Sequence, residues 1–141
     1  MRLAVLSLLL IGILRADLDA VRSEPNLEKR SEKAMLNAEA ALDSARKAYE
    51  GGDMNAVRGA LTEIRDSIAL TRESLDSSGK NARKSPKYFK KAELALRKLM
   101  RRLDSFRLEL GVDERAPVEK LLQSAHSTHD HILEAIMGTK K

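Results

Sequence analysis

The stretch FKKAELALRKLMRRLDSFRLEL, residues 89–110, decides the fold. Its apolar residues Phe89, Ala92, Leu96, Leu99, Leu103, Phe106 and Leu110 recur at steps that alternate between three and four. That period puts all seven on one face of a helix, and such a face has to be buried against other helices. Most positions between them are charged, so the opposite face belongs to water.

The same pattern repeats on either side. Upstream of Phe89, Ser85-Pro86 reads as an N-cap followed by proline at the first helical position, which opens this third helix. Gly111 closes it. Asp113 is placed to cap a fourth helix carrying Val118, Leu121, Leu122, Ala125, His129, Ile132, Leu133, Ile136 and Met137, with Pro117 tolerable in its first turn. Residues Ser77 to Ser85 form the one long connection. Before it runs a second helix with Met54, Val57, Leu61, Ile64, Ile68 and Leu75 inward and Thr71 as its one polar seam residue. Asp53 is its N-cap, and Gly51-Gly52 stops a first helix that spans roughly Asn26 to Tyr49 and is rich in alanine (Ala34, Ala38, Ala41, Ala45, Ala48).

Two tight turns, Gly51-Gly52 and Gly111 to Asp113, set their flanking helices antiparallel. The expected fold is therefore all-α, an antiparallel up-down-up-down four-helix bundle preceded by an N-terminal signal peptide helix. Helices of roughly 24 residues make a bundle about 36 Å long. The alanines of the first helix, facing Ala56 and Ala60, predict an approach near the ~8 Å end of the helix-packing range. A homodimer of two hairpins would use the same stripes. The stretch AYEGGDMNAVRGAL, residues 48–61, resembles one hairpin of the tetratricopeptide class. The resemblance covers one repeat, and the roughly 34-residue period of that class does not follow. It implies a tight helical hairpin and no more.

At 141 residues the chain is one domain with room for a core. Aromatic residues are 3% and tryptophan is absent, so that core is aliphatic. With no cysteine there is no disulfide framework, thiolate metal site or covalently attached c-type haem. Met1-Arg2 precedes an apolar run, Leu3 to Leu14, interrupted by Ser7 and Gly12. This matches a secretory signal peptide and is short for a membrane span. Ala16 or Ala20 would be the last residue removed, leaving a chain that begins at Asp17 or Val21. The expected organisation is a signal peptide over 1–20 and a bundle over 21–141, secreted or periplasmic.

Charge supplies the functional expectation. Between Lys80 and Arg102 stand ten basic residues and one acid, Glu93, while the whole chain carries only +5. The remainder is therefore net acidic. Lys84, Lys87, Lys91, Lys98 and Arg102 recur at three-, four- and seven-residue steps and form a stripe away from the Phe89–Leu110 seam. Such a stripe suits an anionic envelope component or another protein. Nucleic acid fits poorly, since Tyr88 is the one ring left for stacking in a basic segment of an exported chain.

The three histidines, His126, His129 and His131, all fall on the fourth helix. His129 and His131 point about 200° apart, whereas His126 and His129 share a face. If the first helix lies against the fourth, Glu39 comes level with His126 and Met35 with His129. Two ligand sets follow: His126, His129 and Glu39 for a divalent metal, or Met35 and His129 as axial haem ligands. The second resembles the cytochrome b562 type of exported four-helix bundle, in architecture and ligand chemistry, and implies haem. The simpler expectation is that His129 is a neutral core residue bonded to a hydroxyl, that His126 and Asp130 make an i,i+4 surface pair, and that no cofactor is held. There is no phosphate-cradling glycine loop, no H-E-x-x-H and no Glu-x-x-His pair. The sequence thus points to a non-enzymatic exported bundle that works through its surface, with a haem- or metal-binding bundle as the alternative.

Overall fold

The computed structural model describes residues 17–138, so the apolar run Leu3 to Leu14 and the signal peptide read from it lie outside the described residues. Four long helices pack against one another: α1 (Leu27–Glu50), α2 (Met54–Ser77), α3 (Lys87–Glu109) and α4 (Ala116–Met137). A single 3-10 turn, Val112–Glu114, joins α3 to α4, and residues 17–22 form a short helical segment ahead of α1.

Local chemistry fixes the helix starts. The Asn26 side chain accepts the Lys29 N–H at 3.0 Å, and Asp53 accepts the Ala56 N–H at 3.0 Å, each satisfying a donor that the first helical turn leaves unpaired. Gly52 takes φ +73°, a conformation open to glycine, and lets the Asp53 N–H return to the Ala48 carbonyl at 2.9 Å. Two expected caps are absent. Ser85 belongs to the preceding turn, where its N–H donates to the Asn81 carbonyl at 2.8 Å, and Pro86 stands at the N-cap of α3 without a side-chain bond. Asp113 lies inside the 3-10 turn, and Arg115 occupies the N-cap of α4. There the Glu114 carboxylate accepts the Gly111 N–H at 3.3 Å, which ties the turn to its own entrance.

Register follows from the turns. Asn37 donates to Glu63 and Ser67, both at 2.9 Å, and the Thr71 hydroxyl lies 3.5 Å from the Ser31 carbonyl. These pairs are mirrored about Gly51-Gly52. Glu93 and His129 are likewise mirrored about Gly111. Between the hairpins the numbering rises together, with Glu32 beside Lys91 and Asp43 beside Arg102 on α1 and α3, and Asp76 beside His131 on α2 and α4. α3, not α4, is therefore the outer neighbour of α1. This corrects the expected alignment of the first helix on the fourth.

All seven stripe residues of α3 are buried, and Leu96, Leu99, Leu103 and Phe106 are fully enclosed. Phe106 meets the Tyr49 ring edge-on, with centroids 6.1 Å apart. The α1–α2 seam is built from small residues: Ala34, Ala38, Ala41 and Ala45 on one side, Ala60, Ser67, Thr71 and Ser74 on the other. Ala56, expected in this seam, is exposed. The four stripes pack against one another within one chain, except that Met137, expected in the stripe of α4, is 70% exposed. The packed unit also extends upstream of the expected boundary at residue 21, because Leu18 (4% exposed) and Val21 are buried with Ala34 and Leu70.

Candidate functional site

With the seam of α3 fixed inward, its other face is presented to water, and the sequence-selected cations fall there unequally. Lys84, Lys87, Lys91 and Lys98 are exposed, and Arg102 is half-buried. Lys84 lies in the connection before the helix rather than on it. Lys91 Nζ is 3.5 Å from Glu32 Oε1, and Arg102 pairs with Asp43, so α1 partly neutralises two of the five. Lys84, Lys87 and Lys98 make no ion pair among the described residues. Neither do Lys90 and Arg101, which a stripe of single width left out because they lie one step around the helix. The Nζ atoms of Lys87 and Lys91 each sit 5.3 Å from the centre of the Tyr88 ring, which is thus a platform for cations.

Glu93, the one acid of the segment, faces the opposite way. Its carboxylate is buried, bonded to Arg97 and 2.9 Å from His129 Nε2. A carboxylate only accepts, so His129 Nε2 carries the proton and donates. Burial alone would raise the Glu93 carboxyl, but hydrogen bonds from His129 and Arg97, with the charge of Arg97 behind them, hold it below the usual carboxylate range. The partner of His129 is thus a carboxylate, not the hydroxyl expected from the seam. The register contained this pair, since both residues stand eighteen positions from Gly111. With Glu93 inward, the outer face of α3 from Lys87 to Arg102 carries no acid.

The proposed ligand sets are not assembled. Among the described residues no three histidine, aspartate or glutamate side chains converge on a common point. Glu39 lies on α1, whereas His126 is exposed in an open groove between α2 and α4 with Arg72, Asp130, His131 and Glu134. His126 makes no pair with Asp130, whose carboxylate instead lies 3.7 Å from His129 Nδ1. Met35 is buried in the main core. His131 Nε2 bonds Asp76 at 2.9 Å and ties α4 to α2. Among the described residues no helix is long and apolar enough to cross a membrane. No protein-family model matches the chain, and comparisons with curated proteins and with solved structures return no match.

Proposed function

We propose that this chain is an exported, non-enzymatic, up-down-up-down helical bundle that works in the cell envelope by docking the cationic face of α3 on an anionic component. The run Leu3 to Leu14 serves as its export signal, and the mature protein is secreted or periplasmic. The observation that carries this reading is the sorting of charge on α3. Cations fill the outer face from Lys87 to Arg102, and the sole acid of the segment is turned into the bundle and occupied by Arg97 and His129. A surface merely solvated for solubility mixes both signs. Here the face that α3 itself contributes carries one sign over about 22 Å at 1.5 Å per residue, with Glu32 and Asp43 of α1 at its edge.

The test is binding to polyglutamate and to phosphatidylglycerol-containing vesicles over a salt series. Exposed charges are screened beyond about 8 Å at physiological ionic strength, so binding should fall steeply with salt. Reversing Lys84, Lys87 and Lys98 together to Glu should abolish it with helicity unchanged, because among the described residues none of the three has an ion-pair partner to lose, and Lys87 gives up only its contact with the Tyr88 ring. Absence of salt-sensitive binding in the intact protein, or binding that survives the reversal, overturns the proposal.

A further inference from the structure

At the centre of the cationic face stands an apolar residue. Leu94 is 58% exposed, although α3 buries every other leucine of its first four turns. Residues three, four and seven positions away are its neighbours on the helix surface. For Leu94 these are Lys87, Lys90, Lys91, Arg97, Lys98 and Arg101: all six are exposed cations, and of them Lys91 and Arg97 share their charge with Glu32 and Glu93. Leu108, 59% exposed, lies on the same face, about 21 Å further along the helix at 1.5 Å per residue.

We infer that this face seats on an anionic lipid bilayer, with Leu94 entering the boundary between headgroups and acyl chains and the surrounding cations on the phosphates. The inference rests on the docking role proposed for α3 and names its partner. Three features select a bilayer over a soluble polyanion or a small ligand. A polymer of phosphates or carboxylates gives Leu94 nothing apolar to enter, whereas a bilayer supplies both layers at the required depths. Lysine and arginine beside an inserted residue keep their aliphatic stems in the apolar layer and their charges among the headgroups. The face is also a helix ridge, in contrast to the open grooves between α2 and α4 and beside residues 17–21. A ridge suits a flat deformable surface better than a small ligand. The cations add attraction to anionic lipid, which fades within a Debye length.

The chain has no tryptophan, so Leu94→Trp in the full-length protein places one reporter at the site. Vesicles of phosphatidylglycerol and phosphatidylcholine should shift its emission to the blue and protect it from aqueous quencher, and added salt should reverse both. Vesicles of phosphatidylcholine alone, and polyglutamate, should leave the emission at its exposed value. Leu94→Ala should weaken binding to the anionic vesicles at least fivefold and leave binding to polyglutamate unchanged. Because the reporter is local, attachment through Leu3 to Leu14 does not imitate the signal. An exposed emission on bound anionic vesicles, or wild-type affinity of Leu94→Ala for them, overturns the insertion while the cationic face stands. An equal shift on phosphatidylcholine vesicles overturns the selection for anionic lipid. Failure of the wild-type protein to bind either probe removes the docking role and the inference together.

Discussion

Glu93 shows how a single residue is placed by the turn eighteen positions away. Removing its charge while keeping its shape, as in Glu93→Gln, leaves His129 and Arg97 facing an amide. Hydrogen bonds to charged groups are worth roughly 1.5–3 kcal/mol, so the variant should lose about 2 kcal/mol at neutral pH. The folded carboxyl titrates below its unfolded value, so the stability it contributes is present above the ordinary glutamate range of about 4.3 and is lost as pH falls through the lower folded value. The gap between wild type and Glu93→Gln should therefore close in acid, and denaturant unfolding at pH 7 and below pH 4 measures it. A second residue gives the opposite sign. The Ser74 hydroxyl is buried in the α1–α2 seam with no hydrogen-bond partner among the described residues. Ser74→Ala removes that uncompensated group and improves helix propensity, and should raise stability by about 1 kcal/mol in the same assay.

At the scale of elements, the sequence carried the helices well and their ends less well. The period of α3 survived intact because burial of seven consecutive seam positions outweighs any local preference of the residues between them. The caps at Ser85 and Asp113 failed because Asn81 and Glu114 organise the preceding turns through bonds of their own, and those turns take up Ser85 and Asp113. Asn81 accepts the Arg83 and Lys84 N–H groups at 2.9 and 3.3 Å, which draws Ser85 into a turn. Which helices are neighbours was not legible, since a stripe states that a face is buried and not against what. The cations had the same limit: their exposure followed from the period, whereas the pairing of Lys91 and Arg102 depends on α1 being beside α3. Leu99 lies at the centre of this packing with no exposed surface. Leu99→Ala should cost roughly 2–5 kcal/mol, the usual effect of truncating an enclosed leucine, seen as a lower denaturant midpoint. By contrast Asp43→Ala, which frees the half-buried Arg102 at the surface, should change stability by under about 1 kcal/mol.

For the whole molecule, the helical segment 17–22 constrains how an exported chain would be trimmed. Two positions offered themselves to processing, after Ala16 and after Ala20, and the sequence gives no preference because both leave a leucine where a small residue is favoured. Packing separates them. A product beginning at Val21 loses Leu18, uncovers Ala34 and Leu70, and takes from Val21 the helical turn that seats it. Burying a leucine side chain contributes about 1.5–3 kcal/mol, a large share of the 5–15 kcal/mol that holds a typical domain folded. A product beginning at Asp17 keeps the whole cluster. Intact-mass measurement of the exported protein should therefore give a chain starting at Asp17. A recombinant chain starting at Val21 should unfold at a lower denaturant concentration by about 2 kcal/mol relative to one starting at Asp17. An exported mass that begins at Val21 would show that Leu18 is dispensable to the mature bundle. A mass that retains Leu3 to Leu14 would show that the apolar run stays with the protein and would overturn its role as a removable signal.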